Sequence, residues 1–550
     1  MDKTWLEQYQ QGVPHEINPD EYSSLVALFE DSCRQHAKHV AFTNLGCSLT
    51  YEQLNNKSKQ FAIYLQQLGL KKGARVALMM PNLLQYPIAL FGILRAGCIV
   101  VNTNPLYTAD ELVHQMNDSG TEVLVVLANF AKTVEKALPH MAIKQVIITQ
   151  IGDALPLIKR FLVNAVVKYI KKLVPAYHIP NAITYNCALN KYSGNAFKPC
   201  TITHDDIAFL QYTGGTTGIA KGAMLTHKNM VANVLQAYYW ILPLHVNTQD
   251  IIVTALPLYH IFSLTANCLV FLKIGAKNIL ITNPRDTAGF INEIKNSKFT
   301  AITGVNTLYN ALLNHPKFKE IDFSNLKLAL SGGMALQKSV ALKWREVTKT
   351  RLLEAYGLTE TSPAVSINPM YLEEYNGSIG LPLSSTDISL RDDNDRVVGL
   401  DEAGELCIKG PQVMLGYWQR PEETAQTFTA DGFLKTGDVA KVDDKGFIYL
   451  VDRKKDLILV SGFNVYPNEV EQVISLIPGV LEVGVIGVNY EQSGEIVKAC
   501  IVKRDNALTA EDVIAHCREH LTAYKIPKIV EFYQDLPKTN VGKILRRALR

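Results

Sequence analysis

Between Ile207 and Gly222 an apolar run, Ile207-Ala208-Phe209-Leu210, leads into Tyr212-Thr213-Gly214-Gly215-Thr216-Thr217-Gly218-Ile219-Ala220-Lys221-Gly222. Glycines let consecutive backbone N–H groups turn toward one point, while the hydroxyls and the single ammonium add further donors. The stretch therefore reads as a strand running into a loop that grips a polyanion such as a triphosphate. It lacks the Gly-Lys-Ser/Thr ending of a Walker loop, and it contains no G-x-G-x-x-G fingerprint. A flexible linker is the alternative. The strand before the loop and the ordered-looking Ala223-Met224-Leu225-Thr226-His227 after it argue against a linker.

A chain of 550 residues is too long for one core, so at least two domains are expected. Its 47% hydrophobic and 19% charged residues make it globular. A net charge of +3, without a block of like charges or a basic-aromatic alternation, gives no nucleic-acid partner. The nine scattered cysteines form no C-x-x-C pair and read as buried free thiols of a reducing compartment. Met1 to Gln8 has no apolar signal region, which argues against secretion and for a cytoplasmic location. The greasiest run, Tyr86 to Val101, is broken by Arg95 and falls short of a membrane span.

Up to about residue 200 helical and strand patterns alternate: a helix opening at Ser48, a strand over Arg75 to Met80, a buried helix over Gln85 to Ala96, and strands from Thr121 and from Gln145. Such alternation predicts an α/β fold with wound, mostly parallel sheets. After the glycine loop, Asp250 to His260 reads as a strand that brings Tyr259 and His260 to its end. Leu328 to Met334 ends in Gly332 and Gly333, and Leu352 to Thr361 ends in Tyr356, Gly357, Thr359 and Glu360. Open α/β sheets place ligands at such strand ends, so one composite site is expected. A lone histidine such as His260 is by itself more often an ordinary core or surface residue.

Near residue 385 shorter alternating runs and turns begin, which predicts a small β-subdomain over about 385–451 within a large amino-terminal domain, 1–451. The charged cluster Asp452 to Asp456 suits an exposed interdomain joint, with 452–455 as hinge. Residues 456–550 read as a small α+β domain: helix Asn468 to Ile477, strands Val480 to Val488 and Glu495 to Val502, helix Ala510 to Leu521. It ends with Gly542 before Lys543 in a tight, exposed loop. The segment Leu157 to Val174 is unlike its surroundings, because it mixes bulky apolar residues with Lys159, Arg160, Lys168, Lys171 and Lys172. A basic amphipathic helix of this kind can lie on an anionic membrane surface; an ordinary surface helix with snorkelling lysines is the favoured alternative.

Tyr212 to Gly222, Tyr356-Gly357-Leu358-Thr359-Glu360, Thr436-Gly437-Asp438, Asp452-Arg453 and the terminal Pro537 to Lys543 resemble, in order and spacing, the core motifs of acyl-adenylate-forming enzymes. The resemblance covers essentially the whole chain. Asp431 to Glu471 is similar to a fatty-acyl-CoA ligase signature, and Val76 to Pro87 with Val101 to Tyr107 resemble long-chain fatty-acid:CoA ligases.

The resemblance implies a fatty acid, ATP, Mg²⁺ and coenzyme A as substrates and cofactors, with ligases for medium-chain or aryl acids, or a non-catalytic fatty-acid carrier, as alternatives. It assigns Thr213, Gly214, Gly215, Thr216, Thr217, Gly218 and Lys221 to the β- and γ-phosphates, and Thr359 to the α-phosphate. Glu360, with Thr213, would carry Mg²⁺. Tyr356, Gly332, Gly333 and Gly357 would flank adenine, and Asp438 and Arg453 the ribose. His260 would line the acyl site, and Lys543 would clamp the attacking carboxylate. A mobile carboxy-terminal domain would turn about Lys455, withdrawing Lys543 and bringing Val460, Ser461, Gly462 and Phe463 to the pantetheine channel. Two departures stand out: Ser263, Leu264 and Thr265 where some relatives carry a gating Trp, and Phe433 where the signature commonly has Trp. Peripheral contact with the cytoplasmic face of the membrane and a monomeric or homodimeric state are left open.

Overall fold

In the computed structural model, residues 3–192, 194–213, 220–460, 463–490 and 494–550 are described. Two large sheets lie side by side in the first four hundred residues. In the first, the strands Ile207–Thr213, Ile99–Asn102, Arg75–Met79, Val123–Leu127, Gln145–Thr149 and Ile183–Thr184 run parallel in that order. The second places Leu352–Gly357, Leu328–Ser331, Ala301–Gly304, Ile251–Thr254, Lys277–Leu280 and Val40–Asn44 in parallel order. Antiparallel strands close both sheets at their edges. The central strands are mostly apolar, Val123–Leu127 being buried at every position, as strands covered on both faces must be.

The helix Gln85–Arg95 is buried along its whole length. Its one charge, Arg95, is matched by Glu30 at 2.6 Å and by the Asn55 and Ser58 oxygens. The helix expected to open at Ser48 starts later. Cys47–Thr50 is an edge strand, and Thr50 caps the helix Tyr51–Gln67 in a reciprocal box with Gln53.

The β-subdomain is a four-stranded antiparallel sheet of Asp387–Arg391, Gly404–Lys409, Leu434–Val442 and Ile448–Arg453. Phe433 takes Arg391 and Lys409 over its ring at 5.3 and 5.6 Å, so the benzene ring serves where an indole was expected. The last hundred residues form a separate sheet, with Gly494–Lys503 at its centre between Val480–Tyr490 and Ile529–Tyr533 and the helices Pro467–Ile474 and Ala510–His520 packed on it. All nine cysteines are free, but Cys187 is exposed and Cys47 and Cys200 are half-buried, so the expectation of burial holds for the other six.

The helix of the basic segment differs most from expectation. It runs as Leu157–Ala165 and continues as one wider turn over Val166–Ile170. The polar positions Lys159 and Asn164 face inward: the Lys159 ammonium bonds the Leu45 carbonyl, and Asn164 Oδ1 accepts from the Gly152 N–H at 2.8 Å. The apolar face points outward, with Ile158 79%, Phe161 73% and Ile170 74% exposed. An ordinary surface helix would show the reverse orientation.

Candidate active site

The strands on either side of the glycine loop pair as a hairpin. Ile207–Thr213 pairs antiparallel with Lys221–Thr226, and the ladder ends with Thr213 opposite Lys221. Gly214, Gly215, Thr216, Thr217 and Gly218 lie outside the described residues. The Lys221 ammonium is ion-paired with Glu423 and sits 5.3 Å over the Tyr417 ring. Beneath the hairpin the Tyr212 hydroxyl donates to Asp118 Oδ2 at 2.7 Å, and Arg420 holds the other Asp118 oxygen at 2.6 Å. Burial, then the Asp118 carboxylate, keeps the Tyr212 phenol protonated well above its usual range.

Glu360 lies in a single turn, Thr359–Thr361, that packs on this hairpin. Its Oε1 accepts from the Tyr417 hydroxyl at 2.8 Å. The segment Met414 to Trp418 bridges the turn and the hairpin: Met414 N–H donates to the Glu360 carbonyl, and the Leu415 and Trp418 N–H groups donate to the Met224 and Gly222 carbonyls. Among the described residues no second carboxylate joins Glu360 in a three-ligand group. A single carboxylate is a chemically suitable anchor for Mg²⁺, which keeps water and phosphate oxygens as its other ligands.

Tyr356, Asp438 and Arg453 meet. The Tyr356 hydroxyl donates to Asp438 Oδ2 at 2.7 Å, and Arg453 Nε reaches Asp438 Oδ1 at 3.0 Å. Asp438 and Arg453 are cross-strand partners, so the sheet register sets this pair. On the neighbouring strand end Gly333 has φ 78°, and a Cβ on Gly332 would lie 3.1 Å from the Ala355 carbonyl oxygen and 3.2 Å from the Phe262 ring. At Gly332 a side chain would crowd the Tyr356 strand and the Phe262 ring, and at Gly333 the left-handed backbone itself disfavours one. Gly357 ends the same strand.

Lys543 stands in the amino-terminal domain's site. The expected exposed loop is instead docked, with the Thr307 hydroxyl donating to the Gly542 carbonyl at 2.8 Å and Asn310 Nδ2 to the Leu481 carbonyl at 2.8 Å. Burial pulls the Lys543 ammonium down to about 8, and the Arg453 and Arg546 charges add to this against Asp438. His260 is pulled down to about 4, by burial first and then by the Lys543 charge. It is therefore neutral near pH 7, and its Nδ1 accepts from the Phe262 N–H at 3.3 Å.

The joint is not simply exposed. Asp452 is 2% exposed and pairs with Arg546 at 3.2 Å, while Lys455 is exposed. Ser461 and Gly462 lie outside the described residues. Phe463 is 58% exposed and stacks on Tyr524 at 4.9 Å, apart from the cluster around Lys543. At the missing Trp gate, Ser263 donates to the Leu256 carbonyl and Thr265 to the Ser362 carbonyl, both at 2.7 Å, and Leu264 is fully buried.

Sequence reasoning overlooked Tyr417, Arg420, Glu423 and Thr307. Their partners lie 57 to 302 positions away, and no local pattern marks them. It also overlooked Glu354, a buried acid on the Tyr356 strand whose carboxyl is pushed up to about 8 by burial.

The AMP-binding enzyme model matches residues 29–418, and the AMP-binding enzyme C-terminal domain model matches 469–543. A long-chain-fatty-acid–CoA ligase of Yersinia pestis is 57% identical over 100% of this chain and 98% of its own. A ligase of the same name from Bacillus subtilis is 38% identical over 100% and 97%. Among solved structures, an anthranilate CoA ligase in complex with anthranoyl-AMP has a TM-score of 0.86 at 25% identity, covering 97% of this chain and 98% of that one. These matches place the chain in the AMP-binding, acyl-adenylate-forming enzyme family.

Proposed function

We propose that the protein ligates long-chain fatty acids to coenzyme A at the expense of ATP, through an acyl-adenylate, releasing AMP and pyrophosphate. The observation that carries this is Lys543, a half-buried cation brought from the last domain beside His260 and the Asp438–Arg453 pair. Adenylation brings a carboxylate against an α-phosphate, two anions that repel, so oriented positive charge at the meeting point is what the step requires.

In this reading the fatty carboxylate attacks the α-phosphate and pyrophosphate leaves. The loop from Thr213 to Lys221 grips the departing end, Thr359 holds the α-phosphate, and Lys543 spans carboxylate and phosphate. Glu360 and Thr213 hold Mg²⁺, which supplies neutralising charge when bound. Neutral His260 lines the acyl site without adding a second cation beside Lys543. Tyr356, Gly332, Gly333 and Gly357 frame adenine, and Asp438 with Arg453 takes the ribose. The thiol of coenzyme A then attacks the acyl carbon and AMP departs. For that step the last domain turns about Lys455, Lys543 withdraws, and Ser461, Gly462 and Phe463 approach the pantetheine. The enzyme works in the cytoplasm, in peripheral contact with the membrane from which long acyl chains partition. The long-chain assignment is supported by the relatives' shared name at 57% and 38% identity.

The test separates the half-reactions. Lys543→Ala should abolish palmitate-dependent ATP–pyrophosphate exchange yet leave thioester formation from supplied palmitoyl-AMP intact; equal loss in both would sink the assignment. A second reading, ligation of aryl acids, draws on a feruloyl-CoA synthase 32% identical over 92% of the chain. A higher kcat/KM for coumarate than for palmitate would favour it.

A further inference from the structure

Along Leu157–Ile170 the outward positions Leu157, Ile158, Phe161, Leu162, Val166, Tyr169 and Ile170 are all apolar and all exposed, and Leu173 continues the row. Soluble helices turn such a face to the core, because each large side chain left in water forfeits about 1.5–3 kcal/mol. Here the core side is taken by Lys159, Val163, Asn164 and Val167, and the segment is fastened to the domain by polar bonds. Asn164 is held between the Gly152 N–H and Asp153 Oδ1, so the outward orientation is built in by side chains that would not choose it by hydrophobicity.

The charges say what covers the face. Lys168, Lys171 and Lys172 are exposed beside it, Lys168 lying 5.3 Å from the Tyr169 ring centroid, and no Asp or Glu occurs between Leu157 and Val174. A second copy docked face to face would bring these ammonium groups together. A neutral apolar partner would leave them unmatched. A surface that is greasy within and negative at its rim satisfies both features, with apolar side chains in the acyl boundary and lysines at the headgroups. No helix among the described residues is long and apolar enough to cross a membrane, so this face could reach lipid only from the surface.

We infer that Leu157–Ile170 and the lysines just after it dock the enzyme in the plane of an anionic phospholipid bilayer, with Ile158, Phe161 and Ile170 inserted. This rests on the peripheral contact proposed above and supplies its surface and lipid class. It does not depend on the ligase chemistry.

Full-length protein is sedimented with vesicles of phosphatidylcholine alone or mixed with phosphatidylglycerol, and its mass is measured without vesicles. Wild type should pellet with the anionic vesicles and lose this in high salt. Lys168→Gln, Lys171→Gln and Lys172→Gln together should weaken binding roughly a hundredfold. Ile158→Gln, Phe161→Gln and Ile170→Gln should weaken it at least as much, since all three side chains already face water and the fold need not change. Pyrophosphate exchange with octanoate in detergent-free buffer should be unaltered in both variants. Equal pelleting of variants and wild type, or equal binding to neutral vesicles, would overturn the inference. So would a dimer that the glutamine variants dissociate, since a second copy would then be the cover.

Discussion

The two lysines assigned to the proposed site are held under opposite conditions. Lys221 is fixed in a strand of the hairpin, ion-paired with Glu423 and lying over Tyr417. Lys543 arrives from another domain, is half-buried beside Arg453 and Arg546, and forms no ion pair among the described residues. One charge is ion-paired before any ligand binds; the other has no ion pair and is only partly offset by Asp438 and Asp456 against Arg453 and Arg546. A half-buried cation without an ion pair gains more from an incoming anion than a paired one, because the pair must first be parted. The contrast teaches that position along the reaction, more than residue type, sets how each lysine is kept.

The largest effect should come from Lys543→Ala, with adenylation reduced roughly 10²–10³-fold, the scale of losing one preorganised donor. Single-turnover assays of both half-reactions check it, and an equal loss for Lys221→Ala would erase the contrast. Next comes pH. Lys543 titrates near 8, so its charge is present below that value and lost above it. The kcat/KM for adenylation should fall tenfold per pH unit above the lysine's pKa while thioester formation from supplied adenylate shows no such limb. Parallel limbs would assign the titration elsewhere.

Lys221→Ala should act mainly on ATP, raising its KM about tenfold, as loss of one charge-assisted contact does. Glu423→Gln, which frees the same lysine without removing it, should lower that KM; an increase would mean Glu423 positions Lys221 instead of masking it. Smallest is Thr307→Val. The hydroxyl's bond to the Gly542 carbonyl contributes about 1 kcal/mol, so adenylation should slow roughly fivefold without change in thioester formation.

The legible part of this molecule was the part written in short periods. Strand and helix alternation predicted both wound sheets, and Asp438 with Arg453 came out as neighbours because their motifs did. The return strand Lys221–Thr226 was not recognised as half of a hairpin, since its pairing with Ile207–Thr213 is set across a loop whose residues read as an ending. Tyr417 was invisible for a different reason. Its contact with Glu360 joins chain segments 57 positions apart, and an aromatic in an apolar context carries no mark of such a partner. The basic helix was seen as amphipathic, but periodicity gives the angle between two faces and not which of them meets the protein. That choice was made by Asn164 and Lys159, polar residues with inward partners.

Arg546, four residues from the end of the chain, bonds Glu471 at 2.9 Å and Asp452 at 3.2 Å. Glu471 lies beyond the proposed pivot at Lys455 and travels with the arginine, whereas Asp452 lies before it and stays behind. Turning the last domain would therefore unfasten half of this knot and leave the other half tied. Asp452 would be stranded as a buried carboxylate unless water or a new cation reached it. On the proposed turn the Asp452–Arg546 bond would hold the last domain in the orientation described here, and Arg546→Gln should shift the balance of the two half-reactions toward thioester formation.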